Sequence, residues 1–426
     1  MDVRRGAQCA PAVPGAGRRD PTPGAANHRR HLSASRRRPS KRTTDTSRRF
    51  QPPTSVLRHR TPISLIIAPP STRTTHDDIM IASLYPLIRP FLFSLEGERA
   101  HEVTFSMLEL AHSLGMLGTH ESKPEEGVTL MGLRFPNRVG LAAGLDKNAK
   151  HIDALGALGF GFIEAGTVTA QPQAGNAKPR LFRLPEANAL INRMGFPNEG
   201  AEVIAQRLAQ RKFKGPCGIN IGKNAAAPLE EAARNYVECF RVVAPHADYV
   251  TVNVSSPNTA NLRQLQQVDQ LRPILDALLE ARTQLASRTS KELPILVKVS
   301  PDLASEDLAA IARLVRELRI DGVIATNTTI TRDVVKGVPN SEQQGGLSGA
   351  PIRTLALQSI PILREHLGRD VPLIAVGGID SGAAAVAALQ AGADLIQIYT
   401  GLIYRGPKLI TEILAATAQW SRTPML

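Results

Sequence analysis

The sequence predicts an α/β protein built as a (β/α)8 barrel, preceded by a short apolar helical pair and a disordered basic tail. Three observations predict this. Eight short apolar or β-branched runs recur, each followed by a helical pattern. Before them stands a pair of strongly apolar helical segments, and before that pair an Arg-rich stretch without hydrophobic period.

The eight runs are RVGLAA (138–143), FIEAGTV (162–168), CGINIG (217–222), DYVTVNV (248–254), ILVKVS (295–300), GVIATN (322–327), LIAVGG (373–378) and LIQIYT (395–400). Between them lie amphipathic helical segments. SEDLAAIARLVRELRI (305–320) has Ser305 as its expected N-cap; SGAAAVAALQAGA (381–393) and GPKLITEILAATAQW (406–420) are two more. A doubly wound sheet seldom needs so many parallel strands, so the closed barrel is the better fit. Two connections are unusually long, 169–199 and 328–348. Both follow strand C-termini, where a barrel builds its active site, and both are candidate lids.

From Ile81, IASLYPLIRPFLFSLEGERAHEVTFSMLELAHSLGML reads as two helices broken near Gly97. Pattern alone leaves two meanings for them: a cap on the barrel, or helices lying in a membrane interface with the apolar face down. No run approaches the roughly 20 apolar residues that a bilayer crossing needs.

The chain of 426 residues carries a net charge of +13. Residues 1–79 hold fifteen Arg and one Lys against five Asp, which is +11 of that total and leaves +2 for the rest. The basicity therefore belongs to a Pro-, Ser- and Ala-rich tail expected to be disordered. Three readings compete for it. A transit peptide would be Arg- and Ser-rich, as here, but amphipathic, and prolines break that pattern. A nucleic-acid-binding arm would interleave stacking aromatics, and only Phe50 is available. The favoured reading is a non-functional extension, with Met80 opening the working protein. Three cysteines, Cys9, Cys217 and Cys239, without Cys-x-x-Cys or clustered His, exclude a zinc site of familiar spacing and suit a reducing compartment.

The chemistry is carried by polar residues at the strand ends. Lys147 follows the first strand and Thr167 ends the second; Asn220 lies in the third. The fourth gives Asn253 and then Ser255, Ser256 and Asn258; Lys298 lies in the fifth; Thr326 and Asn327 end the sixth. Gly377 and Gly378 close the seventh, Tyr399, Thr400 and Gly401 the eighth. Singly, each has a structural explanation as a cap, a turn or a solvated charge. Together, amides, hydroxyls and two lysines without metal ligands suit a planar organic cofactor, a nicotinamide or a flavin. No G-x-G-x-x-G opens a βαβ unit, which disfavours a Rossmann-bound NAD. Glycines and a hydroxyl before the last two helix N-termini suit a single phosphate, as in FMN.

The chain from about Met80 to Trp420 resembles the class 2, quinone-linked dihydroorotate dehydrogenases of pyrimidine synthesis, bacterial type. The resemblance runs through ERAHE, GLAAGLDKN, GTVT, NAKPRLFRLPEANALINRMGFPN, GINIGKN, VNVSSPNT, DGVIATNTT, GGLSGAP, VGGIDSG and QIYTGLIYRGP. It implies a barrel that oxidises dihydroorotate to orotate with one FMN per chain and a membrane quinone, ubiquinone or menaquinone, as final acceptor. FMN would be held by Ala143, Gly144, Leu145, Asp146, Lys147, Thr167, Asn220, Asn253, Lys298, Thr326, Gly349, Gly378, Tyr399 and Thr400. Substrate would be held by Lys147, Asn192, Arg193, Met194, Gly195, Phe196, Asn253, Asn258, Asn327 and Thr328, with Ser256 as catalytic base. His101, Arg183 and Tyr399 would flank the quinone entrance; no metal is implied.

These roles are physically sensible. Dihydroorotate offers a carboxylate and a ring of amide donors and acceptors, to which Lys147 supplies charge and the asparagines supply both kinds of partner. Lys298 would stabilise negative charge on the reduced flavin. RLFRLPEANALINRMGF alternates enough for a hairpin whose tip is expected to return Asn192 to the site.

Strand periodicity nominates Ser255, on the side of Asn253, as the active serine, whereas the resemblance nominates Ser256. Pro257 favours the second, since it ends the strand and turns Ser256 toward the mouth. A serine is a weak base, so its proton would have to pass on, with Thr259 holding a relaying water.

The resemblance also decides between the two meanings of the helical pair. Residues 80–122 would form a membrane-associated quinone-tunnel domain, residues 123–426 the FMN barrel, and residues 1–79 the extension. The protein would be a monomer, peripheral on the cytoplasmic face of a bacterial inner membrane, with a mitochondrial inner membrane as the alternative and no nucleic-acid partner. Two other functions are weighed: nucleic-acid binding through the tail, and a soluble flavin barrel that uses fumarate or NAD with a cysteine base.

Overall fold

The computed structural model describes residues 76–117 and 126–422; residues 1–75 of the expected tail, Cys9 among them, fall outside this range. Helix α1 (His76–Ser94) and helix α2 (Gly97–Ser113) come first, so the pair breaks just before Gly97 and begins ahead of Met80. Glu96 caps α2, its carboxylate accepting from the backbone N–H groups of Glu98 and Arg99. An antiparallel hairpin, β1 (Val128–Leu130) and β2 (Leu133–Phe135), leads into the main body.

The alternation then runs β3 (Val139–Leu141), α3 (Ile152–Gly156), β4 (Phe162–Val168), a hairpin of β5 (Leu181–Leu184) and β6 (Ala189–Asn192), α4 (Ala201–Gln210), β7 (Cys217–Ile221) and α5 (Ala232–Val243). It continues with β8 (Tyr249–Asn253), α6 (Val268–Thr289), β9 (Ile295–Val299), α7 (Ser305–Glu317), β10 (Gly322–Ala325), β11 (Gly346–Gly349) and α8 (Arg353–Leu367). The last elements are β12 (Leu373–Val376), α9 (Gly382–Gln390), β13 (Leu395–Ile398), α10 (Thr400–Arg405) and α11 (Lys408–Arg422).

Strands β3, β4, β7, β8, β9, β10, β12 and β13 close into one parallel barrel in that order, and each falls within one of the eight predicted runs. A large apolar layer joins the outward faces of these strands to the helices. The inner face is different. Phe162 and Tyr249 lie flat over glycines of the neighbouring strands: a Cβ on Gly140 would sit 2.3 Å from the Phe162 ring, and one on Gly218 2.0 Å from the Tyr249 ring. Phe135 meets Phe162 edge-on at 5.2 Å, closing the N-terminal end of the barrel. With that end plugged by rings, the polar residues of the same strands gather toward the C-terminal mouth.

Two local expectations need correction. Ala304, not Ser305, occupies the N-cap of α7, with extended backbone and no side-chain cap; Ser305 is already helical. The hairpin forms, but its tip is Pro185–Asn188, and Asn192 pairs with Leu181 at the opposite, open end. Asn192 reaches the mouth because the hairpin is anchored there. The two long connections also prove to be joined: β11, from the second, pairs antiparallel with β6, from the first, giving a three-stranded sheet β11-β6-β5 over the barrel mouth.

Candidate active site

A cavity of about 700 Å3 opens at the C-terminal mouth and continues beneath α2. The loop after β3 forms one wall. Gly144 (φ +107°) allows the turn, its N–H donating to the Gly166 carbonyl at 2.7 Å, while its own carbonyl accepts from the Lys147 Nζ at 2.6 Å and the Tyr399 hydroxyl at 3.2 Å. A Cβ there would sit 3.2 Å from the Tyr399 ring, a tight contact, so the positive φ rather than space is what favours glycine. Asp146 is buried and accepts from the N–H groups of Lys150 and His151, which fixes the loop.

Charge in this wall is tuned by burial. Desolvation pulls the Lys147 ammonium down to about 8, with Arg180 adding to the fall and Glu98 and Asp146 opposing it. Burial likewise lowers His101 to about 3, helped by the positive fields of Lys147 and His151. His101 stands edge-on to Phe105 at 4.6 Å, and Phe105 stacks on His151 at 4.2 Å, whose Nδ1 lies 2.8 Å from Glu109. This cluster ties α2 to the loop.

At the barrel axis the amides form a directed set of hydrogen bonds. Asn327 Nδ2 donates to Asn253 Oδ1 at 3.2 Å, Asn253 Nδ2 to Asn220 Oδ1 at 3.0 Å, and Asn220 Nδ2 to Glu164 at 2.9 Å. Thr167 donates to Asn220 Oδ1 and accepts from Asn253. Lys298, buried beside Asn253 in the strand register, is pushed below the usual lysine range by desolvation, an effect that the charge of Glu164 opposes.

The two serines separate clearly. Ser255 is fully buried: its Oγ donates to Asn253 Oδ1 at 3.3 Å and accepts from Asn327 at 3.0 Å, and it does not line the cavity. Ser256 lines the cavity, its Oγ accepting from the Asn258 N–H at 3.3 Å. Asn258 donates to Asn192 Oδ1 at 3.0 Å across the mouth. Asn258 Oδ1, Thr328 Oγ1 and Thr259 Oγ1 are buried without a partner, and so is Gln397 Oε1. Buried orphans of this kind are costly; those of Asn258, Thr328 and Gln397 belong to residues that line the cavity and mark where a polar ligand would complete them, whereas Thr259 lies outside its lining.

Most predicted site residues line this one cavity: Ala143 to Lys147, Thr167, Asn192, Met194 to Phe196, Asn253, Ser256, Asn258, Lys298, Thr326 to Thr328, Gly349, Gly378, Tyr399 and Thr400, with His101 beneath α2. Three do not. Asn220 sits behind Thr167 and Asn253, completing their hydrogen bonds rather than reaching the cavity. Arg193 turns away, donating to Gln343 and the Pro179 carbonyl and lying over the Phe182 ring at 4.6 Å. Arg183 is separated from His101 and Tyr399 in the same sense. Its guanidinium donates to the carbonyls of Leu92, Phe93 and Leu95 at the end of α1, where a cation is favoured, and lies 5.0 Å from the Phe93 ring.

Sequence reasoning missed others. Ser348 in β11 accepts from the Thr400 hydroxyl at 2.9 Å, and Arg180 reaches Glu98 of α2. Gln397 lines the cavity floor and Glu164 lies directly under it. The alternation of β4 and β13 places both side chains inside the barrel, which was the available signal. Among the described residues no group of His, Cys, Asp and Glu could hold a metal, and Cys217 and Cys239 are both free and buried.

The residues present fit a flavin mononucleotide: a cavity of sufficient size, glycines 377, 378 and 401 beside the Thr400 hydroxyl at one end, and a lysine, amides and an orphaned carbonyl along the floor.

Residues 127–419 match the family model described as dihydroorotate dehydrogenase. A Chromobacterium violaceum protein named dihydroorotate dehydrogenase (quinone) is 55% identical over 338 residues, covering 79% of this chain and 98% of its own. A Bordetella parapertussis protein of the same name is 53% identical over 342 residues, with the same two shares. Among solved structures, a dihydroorotate dehydrogenase from Eimeria tenella in complex with ferulenol superposes with a TM-score of 0.69 at 36% identity, covering 74% of this chain and 89% of that one. The chain belongs to the dihydroorotate dehydrogenase family.

Proposed function

We propose that this protein oxidises dihydroorotate to orotate in pyrimidine biosynthesis, with FMN as the bound acceptor and a membrane quinone as the final one. The observation that carries the reading is the convergence of Ser256, Lys147 and the amides of Asn192, Asn253, Asn258 and Asn327 on one cavity. FMN, when bound, supplies a two-electron acceptor; the protein's residues do the rest. Lys147 would pair with the substrate carboxylate, and the asparagines would hold the ring amides, fixing its plane. Ser256 would take the proton from the ring carbon and pass it to a water held by the orphaned hydroxyl of Thr259. Lys298 would offset negative charge at the cavity floor.

The quinone reading rests on the names of the relatives and on the surface of the helical pair. Of the ten large hydrophobic side chains exposed among the described residues, seven lie at 84–116: Leu84, Leu87, Phe91, Met107, Leu110, Leu114 and Met116. Leu84, Leu87 and Phe91 share one face of α1, and Met107 and Leu110 one face of α2, with Leu114 just past its end. No described helix is long and apolar enough to cross a membrane. An exposed apolar stripe of that kind suits peripheral seating on a bilayer, from which quinone would enter beneath α2 toward His101 and Tyr399. Residues 80–122 would thus be the quinone and membrane unit, and residues 123–426 the catalytic barrel. The bacterial relatives named for a quinone suit a membrane-associated enzyme, which would sit on the cytoplasmic face of an inner membrane. The direct test is the visible spectrum of the purified protein: a flavin band that dihydroorotate bleaches and quinone restores supports the function, and a colourless protein that FMN cannot reconstitute refutes it.

A further inference from the structure

Glu164 lies in the middle of β4, fully buried, one layer below the cavity. It takes no place in the chemistry proposed above, yet it receives more hydrogen bonds than any side chain around it. Oε1 accepts from Asn220 Nδ2 at 2.9 Å. Oε2 accepts from Gln397 Nε2 at 2.9 Å, Thr251 Oγ1 at 3.2 Å and the Tyr249 hydroxyl at 3.3 Å. A carboxylate can only accept, whereas an amide has one donating and one accepting end that can exchange by a flip.

That asymmetry propagates. Because Glu164 takes the NH2 of Asn220, the carbonyl of Asn220 must face Asn253 and Thr167. Asn253 must then turn its own NH2 downward and its carbonyl toward Asn327. Asn327 in turn presents its NH2 to Asn253 and its carbonyl to the Thr328 N–H at 2.8 Å. On the other branch, Glu164 takes the NH2 of Gln397, leaving Gln397 Oε1 unpartnered at the cavity floor.

We propose that Glu164 is a positioning residue that sets the donor and acceptor polarity of the whole site: it fixes the amide of Asn327 through Asn220 and Asn253, and points the carbonyl of Gln397 at the bound cofactor. This rests on the proposed function, since it names what that site presents to its ligands. The shape of the site would survive without Glu164; its hydrogen-bond sense would not.

The test is a polarity swap. In E164Q one amide NH2 must meet the NH2 of Asn220 or of Gln397, so one branch reverses or loses its bond. In E164Q/N220D the amide introduced in β4 can donate to the carboxylate introduced in β7. That carboxylate accepts from Asn253 and Thr167, and the carbonyl oxygen of the introduced amide still accepts from Gln397. The original sense returns with the net charge unchanged. Orotate is titrated into each FMN-loaded protein and followed by the flavin absorbance, with the melting temperature measured alongside. The expected result is an orotate Kd raised about tenfold or more in E164Q and brought back to within about threefold of wild type in the double variant. A merely structural role would lower both melting temperatures without this reversal. An unchanged Kd in E164Q, or a double variant no better than the single one, overturns the proposal. If E164Q does not fold, the double variant decides: a folded protein that binds orotate supports the proposal, and one that is unfolded or does not bind overturns it. A wild-type protein that fails to bind FMN or orotate would instead refute the proposed function.

Discussion

Glu98 of α2 and Arg180, at the entry to β5, form a two-pronged ion pair, Nε to Oε1 at 2.9 Å and Nη2 to Oε2 at 3.0 Å, with both side chains largely buried. Burial acts to raise the Glu98 carboxyl, but hydrogen bonds and charge from Arg180 and Lys178 outweigh it and leave the group below its ordinary value. Arg180 also donates to the carbonyls of Ala174 and Asn176, so a single guanidinium joins the helical pair to the roof of the cavity. Removing Arg180 leaves the largely buried Glu98 with only the exposed Lys178, 3.3 Å away, so the cost should approach the roughly 3–5 kcal/mol of a broken buried pair. R180A should lose stability of that order in denaturant unfolding. It should also slow quinone reduction more than reduction of the flavin by dihydroorotate.

S256A should retain FMN yet slow flavin reduction by roughly 10²–10⁴, the usual worth of a positioned general base. S255A removes a partner of Asn253 and Asn327 and should chiefly weaken orotate binding. Stopped-flow reduction rates and orotate titrations of the two variants separate these effects; the reverse ranking would return the role to Ser255.

K298A should lower the flavin reduction rate more than dihydroorotate affinity, because its charge, carried into the cavity by β9 beside Asn253, would act on the reduced flavin. An unchanged rate in single-turnover measurements would reject that role.

Lys147 supplies the pH dependence. Burial pulls its ammonium down to about 8, so that it carries charge below that pH and loses it above. An anionic ligand stabilises the charged form and raises the value back toward that of an ordinary lysine. Orotate Kd should therefore be flat below about pH 8 and should rise as pH climbs above it, a trend that K147Q should abolish along with most of the affinity.

The barrel was legible because its strands are short, buried on both faces and separated by amphipathic helices; Cys217–Ile221 and Tyr249–Asn253 fall inside the apolar runs that predicted them. Residues on strand ends were legible for the same reason. What depended on long-range pairing was not. Nothing local in Gly346–Gly349 signals a strand, since its partner β6 lies more than a hundred residues earlier. The hairpin alternation was readable, but not which of its ends faces the mouth. Arg183 and Arg193 look alike as exposed cations on one hairpin; helix carbonyls claim the first and the Phe182 ring the second. Glu164 was hidden in FIEAGTV because a buried carboxylate among apolar neighbours discloses no purpose until its four partners are seen.

The proposed function requires one cavity to take electrons from dihydroorotate and release them to a quinone, which anaerobic stopped-flow of the FMN-loaded protein can follow. Dihydroorotate alone should bleach the flavin in a single turnover, and a second mix with ubiquinone or menaquinone should restore the oxidised band. A flavin that stays oxidised in the presence of dihydroorotate, or one that is reduced but reoxidised only by a soluble acceptor such as fumarate or NAD, would overturn the quinone-linked function.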